Sequence, residues 1–177
     1  MLVILCTTHG DARVCAEESA GAEYEATWES LDSRATPDWF QDAKFGIFIH
    51  WGLYSVPAWS PKGTYAEWYW HAKDGLPRKH AAAVARSEAV KEFHARVYGE
   101  ELAYEDFRPL FTCELFEPEQ WAKIFKRSGA RYVVLTSKHH DGYCLWPSAE
   151  ASQSFGTAWN SVESGPQRDL VGDLTRA

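Results

Sequence analysis

The stretch "KFGIFIHWGLYSVPAW", residues 44–59, decides how the chain folds. Phe45, Ile47 and Ile49 alternate with Gly46, Phe48 and His50, so both faces are apolar until the last residue. A strand buried on both faces belongs in a parallel sheet covered by helices. We therefore expect a strand over residues 44–50, ending in an ionisable ring. A second stretch, "YVVLTSKHHDGYCLWP" at residues 132–147, repeats the design. Its first five residues are nearly all β-branched or aromatic, which suits a strand, and His139 and His140 follow.

The segments between these strands read mostly as helices and connectors. Residues 36–44 form a short helix, with Thr36 as its cap and Pro37 in the first turn. Residues 51–74 read as loop, rich in glycine, proline and the aromatic run "YAEWYW". Residues 78–97 read as an amphipathic helix with Val90, Phe93 and Val97 on its inner face. Residues 118–128 form a helix with proline in its first turn, Gly129 just past its end, and Trp121, Ile124 and Phe125 on one face. Leu170, Val171 and Leu174 begin another helix at the end of the chain. Strand, helix, strand in that order implies two parallel strands joined by a right-handed crossover. The fold class is α/β.

Composition narrows the function. The chain has 177 residues, which suits one domain, and a formal charge of −7. Nucleic acid is bound by clustered Lys and Arg, and the sequence has no basic stripe. No apolar run approaches the roughly 20 residues that span a bilayer. The nine tryptophans suit a core, and equally suit stacking on the apolar face of a sugar ring. Cys6, Cys15, Cys113 and Cys144 show no CxxC spacing, so a structural zinc site is not expected and free buried thiols are. Residues 1–23 are expected to be a leader or a disordered N-terminus: "MLVILC" is apolar but short for a signal core, and no basic residue precedes it.

Ligands bind at the carboxyl edge of parallel sheets, so the position of His50, His139 and His140 singles them out. Neighbouring strands lie about 4.8 Å apart, close enough for both histidine sets to share one pocket. Two chemistries compete. Neutral imidazoles, the Glu67 carboxylate and the Trp68 indole together suit the hydroxyls and apolar face of a sugar. A metal site with Asp141 and Glu67 added is the rival. Consecutive histidines on a strand point to opposite sides, so only a bend would bring both inward. No serine elbow, P-loop or dinucleotide fingerprint is present.

The segments "YEATWESLDSRATPDWFQDAKFGIFIHWGLYSVPAW", "EWYW", "YVVLTSKHHDGYCLWPS" and "GPQRDLVGDL" closely resemble the α-L-fucosidase family of glycoside hydrolases, from about Tyr24 onward. The resemblance implies the N-terminal portion of a (β/α)8 TIM barrel, truncated after about two strands, with residues 24–177 as a partial catalytic domain. It implies removal of terminal α-L-fucose from glycoconjugates with retention of configuration, and no cofactor or metal. It assigns His50, Glu67, Trp68, His139 and His140 to binding the fucose. The family's nucleophile and acid/base residue are expected beyond Ala177, so the chain alone is expected to be inactive and unstable. Fucosylated glycans are the expected partners, and a lysosomal or secreted location the expected compartment. The alanine-rich stretch at 79–91 and the stretch at 148–161 depart from the family pattern and are expected to change loops. A non-catalytic fucose-binding product and a metal-dependent hydrolase remain as alternatives.

Overall fold

The computed structural model describes residues 2–5, 24–75 and 79–177. Three strands form one sheet: β1 (Leu2–Leu5), β2 (Gly46–Ile49) and β3 (Tyr132–Leu135), in the spatial order β1-β3-β2. The two strands expected from the apolar runs pair in parallel, with Gly46 opposite Tyr132 and Ile49 opposite Leu135. Residues 2–5 lie in the segment expected to be a leader or disordered. They form β1, antiparallel to β3. Cys6 and Cys15 lie outside the described residues, whereas Cys144 is a buried free thiol and Cys113 a half-buried one.

Seven helices accompany the sheet among the described residues: α1 (Trp28–Asp32), α2 (Asp38–Ala43), α3 (Tyr69–Asp74), α4 (Ala81–Tyr98), α5 (Pro118–Arg127), α6 (Ala149–Phe155) and α7 (Leu170–Arg176). Single 3-10 turns occupy Leu53–Ser55, Ala66–Trp68 and Tyr104–Leu110. Several local expectations need correction. Thr36 does not cap α2; Pro37 precedes the helix and supplies no side-chain hydrogen bond. Residues 51–74, expected as loop, hold two of the 3-10 turns and all of α3. Residues 148–161 hold α6 rather than a plain loop. The Ser148 hydroxyl accepts from the Ala151 N–H at its start, and Gly156 turns left-handed at its end. The helix expected over residues 78–97 is present as α4, which starts at Ala81 and takes in the alanine-rich stretch from that residue on.

Two helices bury a different set of side chains from the one the spacing suggested. On α4, Val90 is buried and Phe93 packs against the core, but Val97 is half exposed. His94 takes the second inward position instead. Its Nδ1 lies 2.9 Å from the Tyr69 hydroxyl and its Nε2 lies 2.8 Å from the Leu102 carbonyl. The neutral ring satisfies both if Nε2–H donates and Nδ1 accepts. On α5, Trp121 and Phe125 reach the core while Ile124 stays exposed. Its end is as expected: the Ala130 N–H donates to the Phe125 carbonyl, and Gly129 adopts φ 86°.

The core lies between the carboxyl half of the sheet and the helical connections. Leu135 of β3 joins Leu53, Tyr69, Phe107, Leu145, Trp159 and Leu170 in one buried cluster, with Ile49 and Trp51 packed against it. Aromatic pairs dominate. Trp70 stacks on Tyr104 with centroids 4.7 Å apart, and Phe155 stacks on Trp159 at 4.5 Å. Each such pair contributes about 0.5–1.5 kcal/mol beyond its buried area. These contacts fix the segment after β3 to α3 and to the turn at Tyr104–Leu110, and so fix the site described next.

Candidate functional site

The register of β2 and β3 brings their carboxyl ends level. Beyond it, the Thr136 N–H donates to the Ile49 carbonyl at 2.9 Å, and the Thr136 hydroxyl donates to the same oxygen at 2.5 Å. His50 therefore leaves β2 at the edge where the chain leaves β3. The imidazole rings of His50 and His139 lie 5.8 Å apart, edge to face.

A bend solves the problem of two consecutive histidines. The Ser137 N–H turns back to the Leu135 carbonyl, and Lys138 bridges Cys144 in antiparallel fashion. The Gly142 N–H then closes onto the His139 carbonyl at 3.0 Å. His139 is thereby turned inward and half-buried, while His140 is exposed. Their rings lie 4.9 Å apart at 89°. Trp68, in the 3-10 turn before α3, joins both: it stacks on His140 at 4.5 Å and meets His139 edge-on at 5.4 Å. Glu67 lines the same groove as Trp68 and His140. The structure thus brings together all five residues singled out in the sequence.

Asp141 borders this groove, but its polar atoms are engaged within the fold. It is buried, accepts the Tyr104 hydroxyl at 2.8 Å and the Tyr143 N–H at 3.2 Å, and its carbonyl accepts the Trp159 indole N–H at 2.8 Å. Burial raises its carboxyl above the ordinary value, against the lowering effect of those hydrogen bonds. Its role is to anchor the turn that carries the histidines. Among the described residues no group of three His, Cys, Asp or Glu side chains converges as metal ligands do.

His139 is the hub of the cluster. Burial lowers its pKa, the neighbouring His140 and His50 lower it further, and Glu67 opposes them. The ring is thus held neutral, with one donor and one acceptor. Its Nδ1 is buried and has no partner.

Nothing in the residue pattern singles out Tyr54, yet its ring packs edge-on to His139 at 5.3 Å. Its hydroxyl is buried beside Thr136 without a partner at hydrogen-bonding geometry. Burial, then the charges of Asp141 and Glu67, raise its pKa, with Thr136 opposing. Tyr54 lies four residues after His50 in the first quoted stretch, on a 3-10 turn that no apolar periodicity announces. From Glu67, Trp68 and His140 a groove of about 480 Å³ continues along α3, past Trp70, His71 and Asp74.

A profile of the α-L-fucosidase family matches residues 12–177, so the likeness begins earlier than Tyr24. The α-L-fucosidase of Dictyostelium discoideum is 48% identical over 155 residues, which are 88% of this chain and 31% of that protein. The plasma α-L-fucosidase of Homo sapiens is 44% identical over 160 residues, 90% of this chain and 30% of that one. The chain therefore spans about a third of the length of the curated relatives it matches. The crystal structure of Thermotoga maritima α-fucosidase superposes with a TM-score of 0.71 at 45% identity, over 88% of this chain and 34% of that one. The same enzyme in complex with fucose gives 0.70 at 46% identity, over the same shares. Another α-L-fucosidase, solved with Fucα(1,6)GlcNAc, gives 0.51 at 29% identity, over 77% of this chain and 34% of that one. By its match over residues 12–177 and by these identities, the chain belongs to the α-L-fucosidase family.

Proposed function

We propose that these residues form the fucose-holding part of a retaining α-L-fucosidase. In this reading β2 and β3 are the first two strands of a (β/α)8 barrel, and the substrate is a glycan ending in α-L-fucose. The observation that carries the proposal is the convergence of His50, His139, His140 and Trp68 at one sheet edge, with Glu67 on the same groove. The neutral His139 imidazole presents one donor and one acceptor to adjacent hydroxyls, the rings of His50 and His140 add their nitrogens beside it, and Glu67 accepts from two hydroxyls at once. Trp68 offers an indole to the methyl-bearing, apolar side of the deoxy sugar.

Retaining hydrolysis needs two carboxyl groups about 5–5.5 Å apart across the glycosidic bond. The cluster holds one carboxylate suited to contact a sugar, Glu67, since Asp141 is buried in hydrogen bonds of its own. This reading gives the described residues the binding share of the reaction. It assigns the nucleophile and the acid/base to the part of the relatives that this chain does not match. The names of its tissue and plasma relatives are consistent with a lysosomal or secreted protein.

The test is binding followed by turnover. Saturation-transfer NMR on the full chain with α-L-fucose should give signals that His50→Ala and His140→Ala each abolish. The chain should release no 4-nitrophenol from 4-nitrophenyl α-L-fucoside. Fucose binding untouched by both substitutions would overturn the site. Turnover that His50→Ala removes would overturn the division of labour.

A further inference from the structure

α4 supplies none of the residues gathered at the sheet edge, yet two adjacent side chains on it hold the segments that carry them. Phe93 stacks on Trp59 with parallel rings and centroids 4.2 Å apart, which fastens the stretch that follows His50. His94 is 2% exposed, and its Nδ1 lies 2.9 Å from the hydroxyl of Tyr69, which is 1% exposed. The Leu102 carbonyl takes the other side of the ring, 2.8 Å from Nε2, and so leaves Nδ1 to accept from Tyr69. Tyr69 opens α3, and Glu67 and Trp68 come immediately before it. Trp68 is seated by its stack on His140 and by a long backbone contact, its N–H 3.4 Å from the Tyr65 carbonyl. The ring of Tyr69 meets Phe107 at 6.0 Å and Phe93 at 6.4 Å, both edge-on. Edge contacts of this kind tolerate sliding, whereas a buried hydrogen bond fixes both distance and direction.

We infer that His94 is a positioning residue for the groove: through the Tyr69 hydroxyl it sets the start of α3, and with it the placement of Glu67 and Trp68 against His139 and His140. Its effect on sugar binding rests on the fucose-holding role proposed above; its effect on the placement of Trp68 does not. A histidine that served stability alone would lower the melt when replaced and leave the groove in shape. That difference can be measured.

The experiment takes two readings on the full chain, at neutral pH and at a temperature below every variant's melt. One is α-L-fucose affinity by NMR titration. The other is the indole N–H resonance of Trp68 without sugar, assigned by its loss in Trp68→Phe. His94→Leu and Tyr69→Phe should each weaken fucose about five-fold, the worth of one hydrogen bond, and move the Trp68 resonance. His94→Asn should recover most of the loss, because its amide oxygen stands where Nδ1 accepts, and should recover nothing in combination with Tyr69→Phe. Leu174→Ala, which opens a cavity under α7, should lower the melt and leave both readings unchanged. The inference is overturned if His94→Leu leaves both readings as they were, if His94→Asn does no better than His94→Leu, or if Leu174→Ala does the same damage. If the unaltered chain binds no fucose, the fucose-holding role falls, while the Trp68 resonance, read without sugar, still decides whether His94 sets the start of α3.

Discussion

Each buried ionisable group carries a sign that can be measured. His94 and His139 both have imidazoles held below the ordinary value of 6.5, chiefly by burial. The unfolded chain then takes up more protons than the folded one as pH falls. The stability these rings contribute is complete above about 6.5 and drains away below it. Asp141 works the other way, because its raised carboxyl favours the folded state at low pH. We expect the melting midpoint to fall between about pH 7 and about pH 5, and His94→Gln to flatten that slope at lower overall stability. Thermal melts across that range would check it, and an unchanged slope would remove His94 as a cause. At Tyr54 the expectation is reversed. A buried hydroxyl without a partner costs about 1–3 kcal/mol, so Tyr54→Phe should leave stability equal or raise it by up to about 1 kcal/mol. A urea titration showing a loss above about 1 kcal/mol would mean that Thr136 holds that hydroxyl after all.

At the scale of elements, the turn after β3 matters more to the site than the strand itself. Gly142 adopts φ 75°, and a Cβ there would lie 2.7 Å from the Phe155 ring, which is itself stacked on Trp159. Gly142→Ala therefore meets strain in the backbone and a clash with a ring that has little room to move. It should cost about 1–3 kcal/mol and weaken fucose binding, since the same turn presents His139 and His140. Wild-type stability and affinity in that variant would show the turn to be pliant. The two parallel strands were legible because each is a plain apolar run, although the burial on both faces expected for β2 does not hold, since Phe48 is exposed. The end of α5 was legible because proline and glycine mark helix ends by stereochemistry. The bend at residues 137–142 was not, because it is set by contacts distant in sequence. The Trp159 indole holds the Asp141 carbonyl, and the Tyr104 hydroxyl holds its carboxylate. α3 was hidden for a related reason: its aromatic residues face Phe107, Tyr104 and Trp159 from several sides, which blurs a single stripe. On α4 the alanines and charges gave no strong face, and His94 became an inward residue only because Tyr69 and Leu102 supply its partners.

At the scale of the molecule, the sheet is covered unequally. Ile49, Val133 and Leu135 lie on or against the core, whereas Phe48, opposite Val134 in the register, is 60% exposed. Phe45 at 49% and Phe40 at 48% add apolar area near the same strand. Among the described residues β2 pairs with β3 alone, so its outer edge offers free backbone donors and acceptors. An open edge beside exposed aromatic rings is a template for pairing with another chain. We therefore expect the chain to self-associate as its concentration rises, read as a growing mass in light scattering. Phe48→Lys should suppress that growth, because a lysine beside the edge penalises stacking of a second copy. The melting midpoint at low concentration should barely move, since a side chain this exposed contributes little to folding. Equal association in the variant would show that the contact forms elsewhere. A large loss of folding stability would show that Phe48 is covered in solution by a part of the protein that packs on this face.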